Sequence, residues 1–337
     1  MQKTVLVLGG AGYIGSNTAY LLSQKDYNVI ILDKLIYNQK FDHNFAKLII
    51  GDFADEKILE NIFKTYKIDA VLHFAALIEV GLSVINPVQF YNNNVIKTLK
   101  FLDIMLSYNI KKFIFSSSCA VYGNPVQIPI PEEHKYNPIS PYGKNKLIIE
   151  YALQDYAHAY NLNYISLRYF NAAGTGVIPD TDPGSKPKIF LGEQHIPETH
   201  IIPLLLRAIK NNKIFTIFGD NYNTQDGTCV RDYIHVQDLA HAHYLALEYL
   251  IGNNNNINNS QVFNLGTGLG YSVKDLILCA QKITGKKANI QICPRREGDV
   301  DTLVADNKKI KNTLGWSPEY SSLENIMRSA WEWENRS

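Results

Sequence analysis

The sequence predicts a doubly wound α/β fold of Rossmann type, a parallel sheet covered on both faces by helices, followed by a smaller C-terminal α/β region suited to substrate binding. Three observations predict it. Short runs of Val, Ile and Leu recur through the first half, helix-period segments separate them, and a glycine-rich turn joins the first run to the first helix. Strands apolar at nearly every position suit a sheet buried on both faces, and strict alternation of strand and helix implies right-handed crossovers.

In chain order, TVLVL (4–8), NVIIL (28–32), KLII (47–50), DAVLHF (69–74), KFIFS (112–116) and YISLRYF (164–170) read as strands. Helical stretches near 13–24, 55–66, 87–108 and 141–160 lie between them. Residues 172–199 carry glycines and prolines with little periodicity, which predicts a long irregular segment of the kind that often binds substrate. A helix near 201–211, a strand near 214–218, a helix near 237–251 and a strand near 261–265 follow. Ser272 with Asp275 three residues on fits a capping box opening another helix, and GNNNNINNS (252–260) reads as an exposed connector. The expected division is a cofactor domain over 1–175 and a substrate domain over 176–337, with segments near 228–265 as candidates to return to the first.

Composition narrows the function classes. The 337 residues are 46% hydrophobic and 11% aromatic, enough for a substantial core, and the formal charge of +1 gives no net pull toward nucleic acid or an anionic membrane. No apolar stretch is long enough to span a bilayer, and MQKTVLVLGGAGYIG runs into glycines too early for a secretory core, so a cytoplasmic setting is expected. Cys119, Cys229, Cys279 and Cys293 are scattered without a CxxC pair, and the nine histidines form no HExxH, so neither a disulfide framework nor a metal site is expected.

GGAGYIG (9–15) places Gly9, Gly12 and Gly15 after a strand and at the opening of a helix. Glycines there permit a tight turn and let backbone amides approach a pyrophosphate on the positive end of the helix. Asp33 ends the second strand, 18 residues after Gly15. A carboxylate there can accept both adenosine ribose hydroxyls and repels a 2′-phosphate, selecting NAD over NADP, although Lys34 beside it could offset such a phosphate. Gly51-Asp52-Phe53 and Phe74-Ala75-Ala76 follow later strands at the edge where ligands of parallel sheets bind.

SPYGKNK (140–146) offers Ser140 as an N-cap and Pro141 at the first helical position, which stacks Tyr142 and Lys146 on one helical face. A free phenol, with a pKa of about 10, is ionised in roughly one molecule in a thousand at neutral pH. A nearby ammonium and a positive nicotinamide ring both favour phenolate, so this spacing suits a general base. KFIFSSSCAVYG (112–123) ends a strand in Ser116, Ser117 and Ser118, and the Ser118 hydroxyl could relay a proton between a substrate and Tyr142.

Together GGAGYIGS, SSSCAVYG, SPYGKNK, RYFNAAG (168–174), GTCVRDYIHVQDLA (227–240) and PRREGD (294–299) resemble the extended short-chain dehydrogenase/reductases, and within them the UDP-glucose/UDP-galactose 4-epimerase family. The resemblance covers nearly the whole chain. It implies Tyr142 as the base at the sugar O4, Ser118 as its hydrogen-bonding partner and Lys146 as binder of the nicotinamide ribose. It also implies an NAD site of Gly9, Gly12, Tyr13, Ile14, Gly15, Asp33, Asp52, Phe53, Phe74, Ala75, Ala76, Asn93, Ser116, Tyr142, Lys146 and Phe170. A UDP-sugar site of Ser118, Tyr142, Asn171, His200, Ile201, Thr216, Phe218, Arg231, Arg296, Asp299 and Leu303 is implied with it. With only seven Arg in the chain, Arg231 and Arg296 stand out, because a guanidinium forks onto a diphosphate as Lys cannot. Ion pairs of Arg231 with Asp232 and of Arg296 with Glu297 are the competing structural roles.

Two positions depart from the family pattern: Ile78 stands where many members have Lys, and His200 where Asn is frequent. The resemblance further implies a homodimer through helices near 87–108 and 141–160. A 4,6-dehydratase would need an acid pair after Ser118, where this chain has Cys119-Ala120. A 3,5-epimerase/reductase would use a Cys in this region, and a non-catalytic NAD or nucleotide-sugar sensor is the alternative from another class. Leu303, where hexose-restricted members often carry Tyr, implies room for N-acetylated UDP-sugars.

Overall fold

The computed structural model describes residues 2–36, 41, 44–178, 189–252, 259–296 and 299–336. Its first half alternates as expected: β1 (Thr4–Leu8), α1 (Tyr13–Gln24), β2 (Asn28–Asp33), β3 (Lys47–Ile50), α2 (Glu56–Thr65) and β4 (Ile68–His73). Then come α3 (Val80–Ile85), α4 (Pro87–Phe90), a π-helical turn at Tyr91–Ile96, α5 (Lys97–Ser107), β5 (Lys112–Ser118), α6 (Pro141–Tyr160) and β6 (Asn163–Tyr169). The single helix expected over 87–108 is therefore interrupted. The π turn carries three consecutive asparagines, and Asn94 bonds Leu77 in both directions, accepting from its N–H at 2.9 Å and donating to its carbonyl at 2.8 Å. That staple fastens the loop after β4, and such turns often mark functional sites.

Segment 172–199, expected to be irregular, contains three short strands: β7 (Asn171–Ala173), β8 (Gly176–Ile178) and β9 (Ile189–Leu191). Three-residue strands are too short to show a period. After α7 (Ile201–Lys210), β10 (Ile214–Phe218), β11 (Val230–Arg231) and β12 (Tyr233–His235), helix α8 (Val236–Gly252) leads to β13 (Gln261–Leu265). Residues 253–258 of the polar connector lie outside the described residues. The remainder is β14 (Tyr271–Ser272), α9 (Val273–Thr284), β15 (Asn289–Cys293), β16 (Thr302–Leu303), α10 (Lys308–Leu314) and α11 (Leu323–Glu334). Ser272 and Asp275 form the capping box of α9.

The main sheet has seven strands in the order β13-β6-β5-β4-β1-β2-β3, all parallel. Strand alternation divides the core. Val5 and Val7 face α1 and α8, packing with Ala19, Leu22, Leu239 and Ala246, whereas Leu6 and Leu8 face α2, α5 and α6, packing with Leu59, Phe101 and Leu153. Fully burying one such side chain is worth about 1.5–3 kcal/mol. Helix α8 covers one face of this sheet and β13 supplies an edge, so both return to the first sheet. A third cluster of Ile202, Leu205, Phe215, Leu276, Ile326 and Met327 joins α7, α9 and α11 beneath the parallel pair β10–β15. The order reverses between β1 and β4, and a crevice opens at the carboxyl ends of strands on either side of such a point.

Candidate active site

A cavity of about 950 Å³ opens at that point, and both parts of the chain line it. At one end lies the loop of Gly9, Gly12, Tyr13, Ile14 and Gly15. Gly9 has φ +73°, and a Cβ there would lie 2.6 Å from the Ala75 nitrogen, so the turn has no room for a side chain. Gly12 caps α1 without a side-chain hydrogen bond, leaving first-turn amides for an anion. Asp33 lines the same end, accepting from the Ala11 N–H at 3.0 Å and the Leu35 N–H at 2.8 Å, while burial raises its pKa. These residues fit a dinucleotide: glycine backbone for the pyrophosphate and a fixed carboxylate for a ribose. Lys34 lines this end as well, its ammonium 2.6 Å from Asp52. Phe53, Phe74, Ala75, Ala76, Asn93, Ser116 and Phe170 also line the cavity. Asp52 does not. It pairs with Lys34 and, at 2.5 Å, with Lys97, and although burial opposes it, these ammoniums bring its pKa down to about 2.

At the centre, Ser140 caps α6 by accepting the Gly143 N–H at 3.1 Å, with Pro141 in the first turn. This places Tyr142 and Lys146 toward the end of β5. Ser118 lies beside the Tyr142 phenol, whose pKa it lowers, and accepts from the Ala120 N–H at 3.1 Å. The Lys146 ammonium, 4% exposed, donates to the Ser116 carbonyl at 2.6 Å and sits 5.7 Å from the centre of the Tyr142 ring. The polypeptide alone does not ease the phenol toward ionisation, as the spacing led us to expect. Burial pushes Tyr142 up to about 12, with Ser118 pulling it partly back, and pushes Lys146 down to about 7, with Glu150 resisting. Desolvation outweighs the single neighbour because both side chains sit in a largely apolar wall.

The far end gathers Asn171, His200, Arg231, Arg296, Asp299 and Leu303. Ile201 lines an adjoining cavity of about 220 Å³ together with His200, Arg231 and Asp299. The β11–β16 register sets Leu303 beside Arg231. Arg231 pairs with Asp299 at 3.4 Å, not with Asp232, whose buried carboxylate accepts from the backbone of Thr267, Gly268 and Ala305. The expected Arg296 partner, Glu297, lies outside the described residues. Thr216 and Phe218 line neither cavity; Phe218 instead lies under the Arg296 guanidinium, 3.9 Å from ring centre to carbon.

Sequence reasoning missed Glu193, His195 and Glu198, which line the cavity with His200. Glu193 takes the His195 ring together with the N–H groups of Gln194 and His195, and Glu198 takes His200 Nδ1 at 2.8 Å. Burial opposes protonation of His200, but Glu198 and Glu193 raise its pKa. The four residues fall within GEQHIPETH, and the ligand atoms of Glu193, His195 and His200 lie within 4.8 Å of one another.

Comparison with known proteins agrees with this geometry over the full length. The family model described as GDP-mannose 4,6 dehydratase matches residues 6–329. The chain is 46% identical over 330 residues to the UDP-glucose 4-epimerase of Halalkalibacterium halodurans, covering 98% of this chain and 95% of that relative. Among solved structures, a Brucella ovis UDP-glucose 4-epimerase in complex with NAD superposes with a TM-score of 0.88 at 41% identity, covering 98% of both chains. A Bifidobacterium longum UDP-glucose 4-epimerase in complex with NAD⁺ and UDP gives 0.87 at 36%, covering 99% of each. Likeness this extensive, at 46% and 41% identity over nearly the whole chain, makes this chain a member of the UDP-glucose 4-epimerase family.

Proposed function

We propose that this chain interconverts UDP-glucose and UDP-galactose with NAD, oxidising the sugar at C4 to a 4-keto intermediate and reducing it again from the other face. The observation that carries this reading is the meeting of Ser118, Tyr142 and Lys146 midway between a dinucleotide cradle and an arginine-bearing pocket in one cavity. NAD, when bound, supplies a hydride acceptor at C4 and a positive ring that favours phenolate. Tyr142 takes the O4 proton, and Ser118 bonds the same oxygen and relays the proton. Lys146 holds the nicotinamide ribose and adds its charge to that of the ring. Asp33 holds the adenosine ribose. Arg231 and Arg296 grip the diphosphate while the ketone turns, and Tyr142 returns the proton at the end, so no net redox change occurs.

The acid pair a dehydratase would need is replaced by Cys119-Ala120, and burial pushes the Cys119 thiol up to about 12, where it delivers no useful proton. Two copies pair through the helical stretch 87–108 and α6, a reading supported by the exposed apolar residues Val88, Ile96, Ile148 and Tyr151. Four free thiols suit a reducing, cytoplasmic setting. Leu303 leaves room at C2, so N-acetylated UDP-sugars turn over more slowly than the plain hexoses.

Chromatography of equilibrium mixtures started from UDP-glucose, UDP-galactose and their N-acetylated forms tests this. Both plain sugars should reach one mixture, with slower conversion of the acetylated pair that Leu303→Tyr suppresses, since overpacking a closed site costs about 1–3 kcal/mol. Failure of the plain pair to interconvert would overturn the assignment. Equal loss of both activities in Leu303→Tyr would overturn only the pocket wall.

A further inference from the structure

Glu150 lies one turn beyond Lys146 on α6, with its side chain 1% exposed. One carboxylate oxygen accepts from the Ser117 hydroxyl at 2.5 Å and from Arg168 Nε at 3.0 Å, and the other accepts from Arg168 Nη2 at 2.5 Å. Arg168, fully buried on β6, also donates to the Tyr122 hydroxyl at 2.7 Å and to the Glu132 carbonyl at 3.2 Å. An ion pair this deep loses heavily in desolvation, and apolar residues of similar volume often serve stability as well. Its position is therefore informative. Ser117 is the middle of three serines: Ser116 on one side presents the carbonyl that takes the Lys146 ammonium, and Ser118 on the other acts on the Tyr142 phenol. The carboxylate thus holds the centre of a row whose two ends touch the reacting pair.

We propose that Glu150 is a positioning residue: through Ser117 it fixes the serine row against α6, and it sets a buried negative charge one turn from the Lys146 ammonium. The effect on turnover rests on the epimerase reading; the effect on Lys146 does not. Burial drives Lys146 down, and Glu150 is the carboxylate that opposes it. The other ionisable groups around it do not replace that charge. His73 on β4 is pushed down to about 3 by burial and by Lys146 itself. Tyr142 on α6, Tyr169 on β6 and Cys119 after β5 are all raised by burial and stay neutral. Glu79, ahead of α3, acts on Tyr142 and His200.

The test uses the full chain and three variants, Glu150→Gln, Glu150→Asp and Ser117→Ala. Amine acylation of Lys146 between about pH 5 and 10, read by peptide mass spectrometry, gives its titration midpoint, and UDP-galactose turnover is followed over the same range. In Glu150→Gln the midpoint should fall by about one pH unit or more, carrying the alkaline limb of kcat with it while KM changes little. Glu150→Asp should recover part of both. Ser117→Ala keeps the ion pair, so its midpoint should stay in place while kcat falls about tenfold or more through misplacement of the row. An unmoved midpoint in Glu150→Gln, or a kcat loss matching only the unfolded fraction seen by circular dichroism, would overturn the proposal. If Glu150→Gln does not fold, wild-type kcat in Ser117→Ala overturns it. A wild type that fails to interconvert UDP-sugars, with the midpoint still shifting in Glu150→Gln, would refute the epimerase reading and leave the charge assignment standing.

Discussion

Lys146 shows how a functional residue opposes stability. Its folded pKa of about 7 lies below the ordinary lysine value of 10.5, so the unfolded chain binds more protons between those values. Its charge therefore costs most at and below about pH 7, and the cost fades as pH rises toward 10.5. In the protein freed of NAD, Lys146→Met should raise stability by up to a few kcal/mol at pH 7, with no gain near pH 10.5, while abolishing turnover. Urea melts at the two pH values check this, and a variant less stable than wild type at neutral pH would contradict it. The Tyr142–Lys146 pairing itself was legible in the sequence, because i,i+4 spacing after a Ser-Pro cap fixes both on one face. The sign of the phenol shift was not, because it depends on how much apolar wall surrounds the ring. Asp52 and Phe218 lie off the cavity wall for a related reason: an ion pair and a cation–π contact claim side chains that sequence position leaves open.

At the scale of elements, α6 carries the chemistry only because it can approach the loop after β5. A Cβ on Gly143 would lie 2.5 Å from the Ala120 carbonyl oxygen, so a glycine is what brings Tyr142 within reach of Ser118. Gly143→Ala should fold, hold NAD and lose about 10²-fold in kcat, the scale of a 1 Å misplacement. Steady-state kinetics with a bound-NAD measurement decide it, and wild-type kcat would show that the close approach is incidental. Elements whose apolar positions follow a single period were readable: β1, β2, β4, β5 and the helices between them. The π turn was not, because its extra residue appears only once Asn94 is seen bonding Leu77. Strands β7 and β12 escaped because each is three residues long and they pair with each other about sixty residues apart in the chain, beyond any local pattern.

Over the whole molecule, three buried histidines couple stability to acid. Burial holds His73 at about 3 and His235 and His243 at about 4, below the ordinary 6.5. The unfolded chain then binds more protons as pH falls from 6.5, and each ring removes up to about 1.4 kcal/mol per pH unit until its folded pKa is passed. His235 accepts from the Gln237 N–H at 3.1 Å and faces the Ser329 hydroxyl at 3.0 Å, which fixes the neutral form. His235→Asn should be less stable at pH 7 yet show a shallower fall between about pH 6.5 and 4, by up to one proton. Urea midpoints across that window measure it, and an unchanged slope would mean that the ring is already charged in the fold.

The same global assembly, one cavity built from residues 9 to 303, makes a single claim about chemistry. The most direct test supplies UDP-galactose deuterated at C4 and reads the product sugar by mass spectrometry and proton NMR. The account predicts UDP-glucose that keeps its deuterium at C4, because the atom removed is the atom returned within one closed site. UDP-glucose carrying solvent hydrogen at C4, or no UDP-glucose at all, would contradict it.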